Sequence, residues 1–191
     1  DAMSGRGPDA RGSVADGPAA LGCAHLRSTP ESAAETLPLA LEDRVWIVGD
    51  LRIDDRARLL RELEGAGRRT ADGASDAALV LEAWAAWGEA CVDHLLGDYA
   101  FAIWDRRERT LFAARDPWGI KPLFVARPPD GGVALASDLT ALRLHPDVSD
   151  RLDDRAIADF LLFGQYLDGD MTAFADVRRL PPAHALTWQG G

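Results

Sequence analysis

Between Asp98 and Asp105 the chain reads DYAFAIWD. Aromatic and β-branched residues at this density favour a strand. Side chains alternate across a strand, yet here both faces are apolar. Such a strand has to lie inside a sheet that is covered on each side. TLFAARD, PLFVA and GVALASD follow as further short strands, with DRRER and RPPDGG as the turns between them. A meander of this kind excludes a helical bundle and a sheet with one wet face.

Helical patterns flank the meander. Upstream, RVWIVGDLRIDD (44–55) places four bulky residues in a row, Val45 to Val48, which read as a buried strand ended by Gly49. Asp54 or Asp55 then caps a helix through RARLLRELEG, with Leu59, Leu60 and Leu63 on one face. Ser75 or Asp76 caps DAALVLEAWAAWG, where Leu79, Val80, Ala83, Trp84 and Trp87 form a broad apolar stripe. The stripe reads as core, not as a stacking platform. EACVDHLLG continues as a shorter helix. Ser4 to Pro18 is loop chemistry, dense in Gly, Pro, Ser and Asp, and Leu21 to Arg27 reads as a short strand. Downstream, Asp138 opens the helix DLTALRLHP. DDRAIADFLLFG forms another, with Asp153 and Asp154 as caps and not metal ligands. RRLPPAHALTWQGG is a proline-bounded strand with a frayed tail. With no βαβ repeat and no GxGxxG, the fold class is α+β: stacked antiparallel sheets with helices outside.

The 191 residues suit one core. A net charge of -10 repels phosphate backbones, so nucleic acid is not an expected partner. No apolar run reaches the roughly 20 residues of a membrane span, so no membrane partner is expected either. Cys23 and Cys91 lack metal or redox spacing, the four histidines are scattered, and no metal site is expected. This cysteine usage suggests a reducing, cytoplasmic setting. The chain begins at Asp1 and not at methionine, so a fragment of a longer protein is expected.

LGDYAFAIWDRRERTLFAARDPWGIKPLF followed by ALASDLTALRLHP resembles the glutamine amidotransferase domain of asparagine synthetase-type enzymes. GRGPD near the start, SDAALVLEAWAAWG in the middle and RRLPPAHALTW at the end match further blocks of that family in order. The resemblance covers nearly the whole chain. It implies an N-terminal-nucleophile hydrolase fold, an αββα sandwich of two antiparallel sheets between helical layers. Residues 1–150 would hold the amidotransferase-like domain, and 151–191 its end and a connector toward a synthetase domain. In the family an N-terminal cysteine attacks the glutamine amide with its own α-amine as base, and a backbone N–H and an asparagine amide hold the oxyanion. The ammonia passes to an ATP-using domain that forms an amide.

Carried over residue by residue, the pattern is incomplete. The family's cysteine precedes the R-G-P-D block, here Arg6 to Asp9, so no catalytic residue is assigned within this chain. Cys23 and Cys91 are internal and have no α-amine as base. RVWIVGDLRIDD aligns with the family's N-G-E-I-Y-N loop. Gly49 keeps its N–H, Val48 replaces the asparagine, Asp50 stands for the glutamate and Arg52 for the tyrosine. Loss of one oxyanion donor costs about 10²–10³ in rate. His25 falls at the arginine that pairs with the glutamine carboxylate, with Leu26 anchoring that alignment and Thr29 close behind. Histidine offers no bidentate guanidinium. Asp76 keeps the acid that would hold the substrate's amino group, and equally suits a helix cap. Together His25, Leu26, Thr29, Val48, Gly49, Asp50 and Asp76 outline a vestigial glutamine and oxyanion pocket. Arg115, Asp116, Gly119 and Lys121 in ARDPWGIKP read as a tight structural loop, with Asp116 accepting backbone N–H groups and Arg115 paired nearby. GRGPD reads as a packing turn and not a phosphate loop.

The variant V-G-D-x-R-I-D-D resembles asparagine synthetase homologues that close lasso peptides, where the amine is the peptide's own N-terminus. The first expectation is the amidotransferase-like domain of such an ATP-dependent amide-forming enzyme, with a degenerate glutaminase. Its partners would be a C-terminal synthetase domain and a precursor peptide, with a homodimer left open. No cofactor is expected in this chain, which has no S-G-G-x-D-S loop; ATP and Mg would belong to the synthetase domain. The alternatives are a truncated glutaminase domain of a glutamine-hydrolysing asparagine synthetase and a non-catalytic peptide-binding module.

Overall fold

In a computed structural model, which describes residues 3–190, the chain forms three antiparallel sheets and four helices. The largest sheet has the order β10-β6-β5-β4-β3, built from β3 (Leu39–Leu41), β4 (Val45–Ile53), β5 (Gly97–Asp105), β6 (Thr110–Arg115) and β10 (Ala185–Gln189). The strand that opened the sequence reading, β5, lies inside it between β4 and β6. A second sheet has the order β8-β7-β9, from β7 (Phe124–Ala126), β8 (Ala134–Ala136) and β9 (Val177–Arg179). A separate hairpin joins β1 (Ala10–Asp16) to β2 (Ala19–His25).

Alternation on β5 explains the layers. Phe101 and Ile103 point to one side, where Leu59 and Leu63 of α1 (Arg56–Gly65) and Leu79, Val80 and Ala83 of α2 (Asp76–Trp87) complete the main core. Ala100 and Ala102 point to the other side, where small side chains let the second sheet approach through Leu123, Val125 and Leu135. Phe124 and Ala126 face outward again, onto Leu142 of the short α3 (Leu139–Leu142). The order is helices, sheet, sheet, helix, as the resemblance implied. A fourth helix, α4 (Asp154–Phe163), is capped by Asp153, whose carboxylate accepts from the Arg155 and Ala156 N–H groups. Trp84 packs on Phe112 with ring centroids 5.0 Å apart, and Trp87 stacks on His94 at 3.7 Å. Both act as core and support, as expected.

Several local readings change. Ser4 to Pro18 is not all loop: 10–16 form β1, because β2 supplies a partner for a stretch with weak strand propensity of its own. β4 does not stop at Gly49 but runs on to Ile53, because its pairing with β5 continues to Gly97. Residues 88–94 form a 3-10 helix, and 185–189 form a paired edge strand on β6. Asp55 occupies the cap position of α1 in a left-handed conformation and makes no side-chain cap. GRGPD is the packing turn expected. Gly7 is buried there, and a Cβ on it would lie 2.1 Å from the Ala24 carbonyl oxygen.

Candidate functional site

A cleft of about 1200 Å³ opens between the β1–β2 hairpin and the junction of the two larger sheets. His25, Leu26, Thr29, Val48, Gly49, Asp50 and Asp76, scattered over fifty residues of sequence, all line it. The fold therefore brings the whole expected pocket together.

β4 forms one wall. Val48 packs with Ala100, Ala102 and Leu123 between the sheets, so its side of the wall is carbon. Gly49 faces Phe101 in the ladder. A Cβ at Gly49 would come within 2.7 Å of both the Ala100 carbonyl oxygen and the Phe101 Cβ. The glycine is therefore required by close packing of two strands, independently of any oxyanion.

The charged groups are paired internally. Asp50 Oδ1 lies 2.7 Å from Lys121 Nζ. Asp76 accepts from the Ile53 N–H at 3.0 Å and is ion-paired with Arg56, whose guanidinium also bonds the Ala74 carbonyl. Burial pushes the Asp76 carboxyl up, and the Ile53 N–H and Arg56 pull only part of the way back. The N-cap of α2 is Ser75, whose hydroxyl accepts from Ala78 N–H, so Asp76 is a pocket residue and not a cap. His25 Nε2 stands 3.4 Å from Glu35 Oε2. Among the described residues, His25 Nδ1 and Glu35 Oε1 are buried without hydrogen-bond partners. Arg27 does not line the cleft: its guanidinium donates to the Glu35 carbonyl and its N–H to Asp9. Leu26 is largely exposed at the rim, and Thr29 closes a turn with Ser32.

Cys23 also lines the cleft, two residues before His25 on β2. Burial, with Glu35 and Asp50 adding to it, pushes its thiol up to about 11. Cys91 lies in the main core and is pushed by burial up to about 12. Neither is set up as a thiolate nucleophile. Glu35 and Cys23 escaped sequence reasoning as cleft residues, as did Arg56, which lies behind the lining and pairs with Asp76, and nothing local to them distinguishes them from surface or core positions.

The ARDPWGIKP loop behaves as expected in Asp116 and differs in Arg115 and Lys121. Asp116 is fully buried and accepts from the N–H groups of Trp118, Ile120 and Lys121. Burial raises its carboxyl, but these bonds outweigh it and hold the group below the usual carboxylate range. Among the described residues, Arg115 pairs with no carboxylate. It donates to the carbonyls of Lys121, Leu180 and Gly119, tying the loop to the segment that follows β9. Lys121 leaves its structural role at the side chain, which enters the cleft. Gly119, at φ 66°, lets the loop turn over that guanidinium.

This arrangement of layers defines the N-terminal-nucleophile fold class. The chain belongs to the glutamine amidotransferase domain family, whose match spans residues 1–191. It is 36% identical over 131 residues to asparagine synthetase [glutamine-hydrolyzing] 3 of Bacillus subtilis, covering 68% of this chain and 21% of that one. Asparagine synthetase [glutamine-hydrolyzing] 1 of the same organism is 31% identical over 183 residues, covering 95% and 28%. A putative asparagine synthetase [glutamine-hydrolyzing] of Mycobacterium tuberculosis is 35% identical over 158 residues, covering 81% and 23%. The chain thus spans between 21% and 28% of the length of these relatives. Among solved structures, the glutamine phosphoribosylpyrophosphate amidotransferase of B. subtilis shares the fold, with TM-score 0.55 and 20% identity over 88% of this chain and 32% of that one. No helix among the described residues is long and apolar enough to cross a membrane, and no group of metal-ligating side chains occurs among them.

Proposed function

We propose that this chain is the amidotransferase-like domain of an ATP-dependent amide-forming enzyme of the asparagine synthetase type, and that its glutaminase is degenerate. The observation that carries the reading is the state of the cleft. Val48 gives the wall carbon in place of an amide donor, and Asp50, Asp76 and His25 face Lys121, Arg56 and Glu35 instead of an open substrate position. A glutamine α-amine would have to displace Arg56 from Asp76. A carboxylate would meet the His25–Glu35 pair where the family places a guanidinium. The retained cleft then supports the structure and holds a peptide, and the parent enzyme closes a macrolactam in the manner of lasso-peptide synthetases. ATP and Mg would be held by its synthetase domain.

Full-length protein should release no glutamate or ammonia from glutamine above background, while catalysing ATP-dependent amide formation with a peptide amine. Glutamine turnover comparable with an intact asparagine synthetase would overturn the proposal. Val48→Asn with His25→Arg tests the cause. A second reading, a working glutaminase domain, is favoured by the relatives, which are named as glutamine-hydrolysing. The same assay decides between them.

A further inference from the structure

Among the described residues, two buried polar atoms of the cleft wall have no hydrogen-bond partner: Glu35 Oε1 and His25 Nδ1. His25 sits at the end of β2, and Glu35 directly follows the 3-10 helix Glu31–Ala34. Their side chains face each other through Nε2 and Oε2 and are only 12% and 7% exposed. In a neutral imidazole, the nitrogen facing the carboxylate carries the hydrogen, which leaves Nδ1 a lone pair. Both orphan atoms are then acceptors. Buried polar atoms are nearly always bonded, and a buried carboxylate is costly unless it is well paired.

The nearby cations do not supply the missing donor. Lys121 is engaged by Asp50, and Arg6 by Asp138. Arg56, behind the lining, holds Asp76. Arg27 donates to the Glu35 carbonyl and not to its carboxylate. Arg11 also lines the cleft, but among the described residues the one ion pair that reaches Glu35 is that of His25. The surroundings are negative. Glu35 and Asp50 both add to the rise of the Cys23 thiol, which shares a face of β2 with His25. Glu35 lies outside the strand ladders, between the 3-10 helix and β3, so its carboxylate can turn toward the cleft without breaking a sheet.

We propose that the Glu35–His25 wall of the cleft is a subsite for a primary ammonium group, which donates to Glu35 Oε1 while a second N–H of the same ligand meets His25 Nδ1. An ammonium brings three donors and the positive charge that Glu35 lacks. A carboxylate at the same place brings a like charge and no donor. The source of the ammonium rests on the functional reading above: it is the N-terminal amine of the bound peptide, and the next amide supplies the second N–H. Ala24, Ala77, Ala100 and Ala102 line the cleft with small side chains, which leaves room for the chain beyond.

Isothermal titration calorimetry on the full-length protein at pH 7 tests this with triglycinamide, its N-acetyl form and glycinamide. Triglycinamide should bind, and acetylation, which removes the charge and two of the donors, should weaken binding about tenfold or more. Glu35→Gln should weaken triglycinamide to the same extent, leaving the acetyl form and the circular dichroism unchanged. The subsite is overturned if triglycinamide does not bind, if the free and acetylated peptides bind equally, or if Glu35→Gln holds triglycinamide as tightly as wild type. Ring-nitrogen NMR needs no such variant: the His25 Nδ1 resonance should move with triglycinamide and not with the acetyl form. A resonance that moves with neither overturns the role given to His25. Glycinamide bound as tightly as triglycinamide keeps the ammonium subsite and overturns the peptide as its source. Glutamine hydrolysis is read on the same samples. Turnover with the ammonium preference intact sinks the functional reading and the peptide source, whereas no turnover and no preference sinks the subsite alone.

Discussion

Lys121 Nζ lies 2.7 Å from Asp50 Oδ1, joining the loop after β6 to the middle of β4 inside the cleft. The backbone of Lys121 is held from both sides: its N–H donates to Asp116 and its carbonyl accepts from Arg115. The side chain is thus aimed by a loop wrapped on the buried Asp116 carboxylate. This couples the ARDPWGIKP motif to the pocket.

Both partners of that pair are partly exposed, so the contact itself is worth about 1 kcal/mol or less. Lys121→Met should lower Tm by no more than about 2–4 °C. The difference from wild type should shrink in 1 M salt, where exposed pairs are screened. Thermal unfolding at two salt concentrations checks this, and a larger, salt-insensitive loss would mean that the pair is structural.

Asp116 carries a different weight. Asp116→Ala removes the fully buried acceptor of the Trp118, Ile120 and Lys121 N–H groups and leaves a cavity under the loop. A charged acceptor lost to part-buried donors costs about 1–3 kcal/mol in total, because the exposed turn lets water reach some of them. Urea unfolding measures it directly.

The carboxyl of Asp116 also sets an acid limit. Its folded pKa is depressed, so the stability it contributes is present above the unfolded carboxylate value near 3.9 and is lost as pH falls through the lower folded value. Asp105 behaves likewise. Burial raises its carboxyl, but Arg44 and the N–H groups of Glu108 and Arg107 bring it below the ordinary value. Asp76 has the opposite sign: burial favours its neutral form, so its contribution fades as pH rises through its raised value. Tm should fall steeply below about pH 4, and Asp105→Asn should flatten part of that limb.

Gly49→Ala should destabilise by about 1–3 kcal/mol through overpacking, since its Cβ would press on the Ala100 carbonyl and on Phe101. The measurement is a denaturant midpoint with unchanged m-value. A neutral effect would show that β4 and β5 can part at this point.

The two thiols should be slow. With Cys23 raised to about 11 and Cys91 to about 12, both are protonated near pH 8. Native alkylation should run roughly a hundredfold below that of a free cysteine, and Cys91 should react only on unfolding. Mass spectrometry after timed iodoacetamide treatment separates the two sites.

Patterns inside single elements were legible. DYAFAIWD declared a doubly covered strand because its two faces are both apolar, and β5 is that strand. The stripe of α2 was readable for the same reason: Leu79, Val80 and Ala83 recur at helical spacing and are fully buried. The ordered blocks also placed His25, Val48, Gly49, Asp50 and Asp76 in one pocket, which the cleft brings together.

Other features had no local signature. β1 exists because β2 pairs with it, and β4 passes Gly49 because β5 continues opposite. Asp76 suited a cap and a ligand equally well until Ser75 took the cap and Arg56 reached the carboxylate. Periodicity along the chain determines which faces are apolar, because burial acts on each side chain through its own position in the repeat. Which charge meets which is decided only when distant elements close on one another. The pairs Asp50–Lys121 and His25–Glu35 depend on distances that no stretch of sequence contains.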